Sequence, residues 1–345
     1  MKRWLPGIGL LVALAGIGGG LWWDYQRFLA QPLAVSGEGQ VLEVRPGSSI
    51  AVIAEELVAR GVLTHPWQSW YLQAYARLQG LAPKLKTGEY ALEPELTPRE
   101  LLARIVAGKV IQYSLTVVEG WTFRQLRAAL RAHPQLEQTL QDLGDEEVMA
   151  RLGHPGLHPE GRFFPDTYRF PRGTRDLDFL QRAFATMQKK LDEVWARRAA
   201  DLPLQSPDEV LILASIVEKE TALPSERREI AGVFARRLQK NMPLQTDPSV
   251  IYGLGDGFDG NLRRQDLEAD TPYNTYTRTG LPPTPIALPG AAALAAAVDP
   301  APGDALYFVA RGDGSGGHVF SRTLEEHNRA VRQYLHNRRA GEAGP

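Results

Sequence analysis

The sequence predicts an α+β protein in three parts: an apolar N-terminal helix, a small strand-helix-helix-strand unit, and a mainly helical second domain with a C-terminal β-hairpin. Three observations carry this reading. Residues 4–23, "WLPGIGLLVALAGIGGGLWW", contain no charge, and about 20 such residues are what a helix needs to cross a bilayer. Apolar residues recur at helical spacing through "HPQLEQTLQDLGDEEVMARLG" and "LDFLQRAFATMQKKLDEVWARR". Near the end, "DALYFVA" and "GHVFS" flank a glycine-rich turn, the pattern of two paired strands.

Composition sets outer bounds. With 345 residues, 43% hydrophobic and 23% charged, the chain is long enough for two folded domains. The net charge of −1 gives no basic excess, so no nucleic-acid partner is expected. Cysteine is absent, which excludes disulfides, thiolate metal sites, a cysteine nucleophile and a lipid-accepting cysteine.

The N-terminus implies a compartment. Lys2 and Arg3 precede the apolar run, and Trp4, Trp22 and Trp23 stand at its ends, where indole rings favour the membrane interface. Residues 1–23 therefore read as a cytoplasmic stub and a single-pass inner-membrane anchor, with the rest of the chain in the periplasm. A cleaved signal peptide fits less well. The run ends in Trp-Trp, and the small-x-small site Ala34-Val35-Ser36 lies too far downstream. Residues 24–40 are polar and contain glycine, as a tether would.

Residues 41–124 begin with a β-like run at Val41, a Pro-Gly turn, and helical spacing at Ile50, Ile53, Ala54, Leu57 and Val58. "HPWQSWYLQAYARL" is a second helix and "KLKTGEYAL" a second strand; a helix over Thr97–Ala107 and a strand around Val110–Val118 follow. The strand-helix-helix-strand order resembles the LysM module, a small fold that binds N-acetylhexosamine chains. From order alone any small α+β unit fits better, since fold does not give function.

The second domain, residues 125–345, contains the most pointed stretch, "LILASIVEKET". Ser206-Pro207-Asp208-Glu209 is a strong helix start: a capping serine, proline at the first helical position and glutamate three residues after the cap. Val210–Val217 is apolar on every face except at Ser215, so this helix belongs inside the domain. Glu218 then emerges beside small and apolar neighbours, where low polarity raises a carboxyl pKa as a general acid requires. A solvated helix end is the plain alternative, although acids there oppose the macrodipole. Downstream, a helix capped by Ser225 and stopped by Asn241 leads to a polar loop at Leu244–Asp247 and to "TPYNTYTRTGLPPTPIALPG". Tyr273, Asn274, Thr275 and Tyr276 are residue types that stack on sugars and bond their hydroxyls. Thr323 with Glu326 makes a capping box for a last helix.

"ASIVEKETA", "LQTDPSVIYGLG", "TPYNTYTRTGLPPTPIALPG", "EGRFFPDTYRF" and "YFVARGDGSGGHVFSRTLEEHNRAVRQY" together resemble the YceG-like endolytic murein transglycosylases over nearly the whole chain. The resemblance implies a lyase that cuts nascent peptidoglycan strands between N-acetylmuramic acid and N-acetylglucosamine, leaving 1,6-anhydromuramyl ends. It implies Glu218 as the catalytic acid. Glu220, Gln245, Thr246, Asp247, Tyr252, Tyr273, Asn274 and Tyr276 fall in its motifs as substrate-binding positions. Glycan strands and the inner membrane are the implied partners, with wall synthases of elongation or division by resemblance alone, and no cofactor is implied. A membrane-anchored, non-catalytic peptidoglycan-binding scaffold is the competing reading. Glu160, Asp166, Glu220 and Asp247 offer further acids, although the family needs only one.

Other patterns point elsewhere less well. His154, His158 and Glu160 could be drawn as metal ligands, but proline after each histidine breaks the helical geometry of zinc motifs. Gly312, Gly314 and Gly317 spell G-x-G-x-x-G, yet a strand follows, so no helix N-terminus awaits a pyrophosphate. Ser215 and Lys219 are four apart, which misses the S-x-x-K spacing of penicillin-binding enzymes.

Overall fold

The structure, a computed structural model, describes residues 5–37 and 39–342. Lys2, Arg3 and Trp4, expected to flank the anchor, lie outside the described residues. The chain divides into two compact units, Met1–Tyr113 with Arg169–Gly173, and Ser114–Tyr168 with Thr174–Pro345. The second unit begins before the boundary expected at 125.

In the first unit, helix α1 (Leu5–Ala30) is followed by strand β1 (Gln40–Val44), helices α2 (Ile50–Ala59) and α3 (Pro66–Leu78), strand β2 (Gly88–Leu92) and helix α4 (Pro98–Ala107). The strands pair antiparallel with Leu42 opposite Tyr90, so the predicted order holds. Ser49 caps α2 through the Val52 amide, and Thr97 with Glu100 forms a capping box on α4. Leu42, Ile53, Leu57, Leu72, Leu101 and Ile105 form the core. The buried Tyr90 hydroxyl donates to the carbonyls of Lys86 (2.8 Å) and Ile105 (3.2 Å), satisfying a group that burial would otherwise penalise.

Two features of α1 bear on the anchor and tether. Leu11, Val12, Leu14, Ile17, Leu21, Trp22 and Trp23 are all exposed. Among the residues whose side chains are described, no helix is long and apolar enough to cross a membrane; those of residues 5–10, part of the apolar run, are outside that set. The helix also continues to Ala30, into the first part of the expected tether, 24–40. Phe28, Leu29 and Leu33 bury in the first unit's core, and Tyr71 donates to Asp24 (3.3 Å). Three large apolar side chains in this stretch outweigh its polar composition, at about 1.5–3 kcal/mol for each one fully buried.

Strand β3 (Tyr113–Thr116) leads from the first unit into the second, followed by helix α5 (Phe123–Ala132), strand β4 (Leu136–Glu137), helix α6 (Asp145–Arg151), strand β5 (Thr167–Phe170), whose last two residues belong to the first unit, and strand β6 (Thr174–Arg175). Helices α7 (Asp176–Trp195), α8 (Pro207–Glu220), α9 (Arg227–Gln239), α10 (Asp247–Leu254), α11 (Arg264–Glu268) and α12 (Ala291–Val298) follow. The hairpin β7 (Tyr307–Ala310) and β8 (His318–Ser321) and the helix α13 (Leu324–Glu342) complete it. The hairpin pairs antiparallel, with Tyr307 opposite Ser321. Thr323 and Glu326 exchange the expected capping bonds.

Helix α8 is the axis of this unit. Ser206 caps it through the Glu209 amide, and every residue from Val210 to Val217 is buried. It packs on α7, α9 and α12, and the alanine-rich α12 lets the two backbones approach closely. Ser215, the one polar residue in the run, donates to the Ile212 carbonyl (2.7 Å) and accepts the Ile286 amide (2.9 Å). Its hydroxyl therefore pins the proline-rich 282–289 loop to α8. Asn241 takes the predicted left-handed stop at φ 53. Ser225 does not cap α9; the helix starts at Arg227 after Glu226, whose carboxylate instead binds the His318 amide (2.9 Å) and Nδ1 (2.7 Å).

Candidate active site

The apolar run of α8 ends at Val217, and Glu218 follows it. Its side chain is only 6% exposed, and its Oε2 accepts the Gly290 amide at 2.8 Å. Gly290 precedes α12, so the carboxyl lies between the C-terminal end of one helix and the N-terminal end of another. Arg227 stands 3.7 Å from Oε1 and is itself 13% exposed. Burial raises the Glu218 pKa; the Gly290 bond opposes it, nearby Glu119 adds to it, and Arg227 and Lys219 oppose it. The group is held toward its protonated form without losing the partners its anion needs.

Next to this acid the second unit has a cavity of about 840 Å³, lined among others by Phe123, Glu160, Lys219, Tyr252, Phe258 and Tyr273. Glu218 does not line it, whereas Lys219, the next residue, does. The Lys219 ammonium reaches the Gly120 carbonyl at 3.4 Å. Tyr252 and Tyr273 pack edge to face with centroids 5.0 Å apart, leaving ring surface of the kind that stacks on sugars. Tyr252 donates to Glu160 Oε2 (3.1 Å) while the Phe123 amide donates to Oε1 (2.9 Å). Burial pushes the Glu160 pKa up to about 7, against the pull of those two bonds.

The other expected substrate-binding residues divide. Glu220, Gln245, Thr246, Asp247 and Tyr276 form a separate polar cluster past the end of α8. Thr246 donates its hydroxyl to Glu220, Tyr276 donates to Asp247 (2.5 Å), and Arg237 donates to Gln245 (3.0 Å). Burial lifts the Glu220 pKa to about 7. Asn274 is buried and fully engaged: its amide nitrogen serves the carbonyls of Asp266, Leu267 and Ala269, and its oxygen accepts the Tyr276 amide. Its place is inside the loop frame. Of the expected contacts, only Tyr252 and Tyr273 line the cavity.

The two histidines of "HPGLHPE" have partners of their own. His154 stacks on Phe184 (4.2 Å), and His158 Nδ1 accepts the Glu160 amide (3.2 Å). Among the described residues no group of three or more His, Asp or Glu side chains is placed to hold a metal ion. Glu119 and Arg227 are the site neighbours that sequence reasoning passed over. The only trace of Glu119 was its place before the glycine of "EGWTF"; Arg227 lay unmarked among the charges of a helix start.

Glu160 and Glu220 predict a pH dependence of stability. Folded, both keep their protons up to about pH 7, against an ordinary value of 4.5. Within that window the folded state binds more protons than the unfolded, so stability falls as pH rises. The thermal midpoint should be lower at about pH 8 than at about pH 5, and Glu160→Gln with Glu220→Gln should flatten the slope. A midpoint that climbs over that range would contradict the burial of these acids.

A sheltered carboxyl at a helix end thus stands beside an aromatic-lined cavity. The chain belongs to the YceG-like family, whose model matches residues 42–333. It is 32% identical over 329 residues to the endolytic murein transglycosylase of Bacillus subtilis, covering 90% of this chain and 89% of the relative. It is 27% identical over 368 residues to that of Streptococcus pneumoniae strain D39, covering 96% of this chain and 65% of the relative. The crystal structure of a YceG-like protein from Listeria monocytogenes superposes with a TM-score of 0.52 at 32% identity, over 85% of this chain and 99% of that one.

Proposed function

We propose that this chain is an endolytic peptidoglycan lytic transglycosylase with Glu218 as its acid and base. The observation that carries the reading is the sheltered Glu218 carboxyl, raised toward its protonated form yet bonded by the Gly290 amide. Protonated Glu218 donates to the oxygen bridging N-acetylmuramic acid and N-acetylglucosamine, and an oxocarbenium-like centre develops. The resulting carboxylate then takes the proton of the muramyl C6 hydroxyl, which closes the 1,6-anhydro ring without water. Gly290 and Arg227 stabilise the carboxylate between the two transfers. Tyr252 and Tyr273 offer the stacking wall for the glycan, and Glu160 fixes the first of them.

Ordinary glycosidases set two carboxyls roughly 5 to 9.5 Å apart. The single-acid cycle needs no second one, because the substrate's acetamido group can stabilise the cation. Mass spectrometry of digested strands tests the proposal. Anhydromuramyl ends are expected; reducing ends would make the chain a hydrolase, and binding without cleavage would make it a scaffold.

The chain is further read as a single-pass inner-membrane protein with its catalytic unit in the periplasm, limiting the length of nascent strands. The charge-free run at 4–23 and the exposed apolar side chains of α1 support this. The strand-helix-helix-strand unit is read as LysM-like on its element order. Wall synthases would be neighbours in that compartment. Deleting residues 1–23 should release the protein from sedimenting membranes while leaving purified-strand cleavage within about twofold, since the catalytic acid lies in the other compact unit. Continued sedimentation of the truncated chain would refute the anchor.

A further inference from the structure

Two segments remote in sequence meet over Glu218. Gly120 donates its amide to the Leu288 carbonyl (2.9 Å), and Leu288 donates back to the Trp121 carbonyl (2.7 Å). This short pairing lays Gly120 over the Glu218 side chain, where an added Cβ would stand 3.9 Å from its Cγ. It also brings the Glu119 carboxylate against Gly290, so closely that a methyl group on Gly290 would overlap it. Gly290 is the residue whose amide holds Glu218. Glu119 thus faces the acid from one side.

Arg227 faces it from the other, 3.7 Å away and largely buried, with its Nε lacking any hydrogen-bond partner. A buried guanidinium with an unused donor is costly, and the group it confronts is Glu218. The remaining charge nearby is Lys219 on the same helix, turned toward Gly120.

We propose that Glu119 and Arg227 are a pair of opposed positioning charges that set the proton affinity of Glu218, Glu119 favouring the acid before donation and Arg227 favouring the carboxylate after it. A lone general acid must serve in both protonation states within one turnover, so neither charge alone suffices. Glu119 is exposed, which keeps its influence modest and sensitive to salt. Arg227 is sheltered and acts with less screening. The assignment rests on the reading of Glu218 as the acid, and it extends that reading to residues which themselves make no contact with the reacting bond.

The test uses the full chain in detergent, with glutamate ¹³C-labelled at the side-chain carboxyl and the Glu218 signal identified by its loss in Glu218→Gln. The signal is titrated in the wild type, in Glu119→Gln and in Arg227→Gln, and the alkaline limb of strand cleavage is recorded for the same proteins. Glu119→Gln should move the Glu218 titration and the limb to lower pH by about half a unit, less at high salt. Arg227→Gln should move both to higher pH by about one unit. Structural damage alone would lower the rate at every pH and leave the titration in place. Equal titrations, or shifts in the same direction, would overturn the proposal. The titration needs no substrate, so opposed shifts without anhydro product would sustain the charge pair and instead defeat the proposed reaction.

Discussion

Glu218→Gln should keep the chain folded and bound to glycan strands while removing anhydromuramyl product by roughly 10²–10⁴-fold, the contribution a positioned general acid makes. The substitution is nearly isosteric. Its amide oxygen can still accept the Gly290 amide that now lies 2.8 Å from Oε2, and its amide nitrogen takes the place of Oε1, which lies 3.7 Å from Arg227. Burial no longer opposes an ionised group, so the thermal midpoint should hold or rise slightly. Product assay and strand co-sedimentation on the same preparation check both halves. Glu160→Gln is the matched control, because Glu160 is the acid that lines the cavity and also keeps its proton to about pH 7. It leaves one acceptor oxygen for two donors, the Tyr252 hydroxyl and the Phe123 amide, and should weaken strand affinity more than turnover. If the ranking inverted, so that Glu160→Gln abolished product and Glu218→Gln did not, the acid would be misassigned.

How much of this site could be read from sequence follows from the range of each interaction. The start of α8 was legible because Ser206, Pro207 and Glu209 act on one another within a single turn, and local chemistry suffices for that. The burial of Val210–Val217 was legible because a helix apolar on every face has no solvent side. The Asn241 stop and the Thr323 cap are equally local. Glu119 was not legible. Its approach depends on Gly120 and Trp121 pairing with Leu288, and no local pattern announces so distant a partner. Ser225 misled for the same reason, since Glu226 is fixed by His318 from the far hairpin. Asn274 was legible only as a polar residue of its loop, because an asparagine that bonds sugar hydroxyls and one that ties up loop carbonyls look alike until the carbonyls are placed. The stretch 24–40 was read from its average polarity, whereas Phe28, Leu29 and Leu33 act individually.

Gly161→Ala should lower the thermal midpoint by about 10 °C and cut turnover by roughly 10²-fold. Gly161 has φ +79, and an added Cβ would stand 2.5 Å from Pro285 Cβ and 2.6 Å from its Cγ. The left-handed backbone costs alanine about 1 kcal/mol, and overpacking a rigid ring adds about 1–3 kcal/mol. For a unit of this size each kcal/mol is worth about 2–4 °C. The functional loss has its own cause. Pro285 precedes Ile286, which Ser215 pins to α8, and the same loop runs on through Leu288 to Gly290, which holds Glu218. Pushing Pro285 aside therefore strains both fastenings of the loop, and a displacement of about 1 Å at an acid can cost about 10²-fold. Scanning calorimetry and single-turnover cleavage well below the melting range separate the two effects. A variant that melts early yet cleaves at the wild-type rate would show that the 282–289 loop is structural and does not set the position of Glu218.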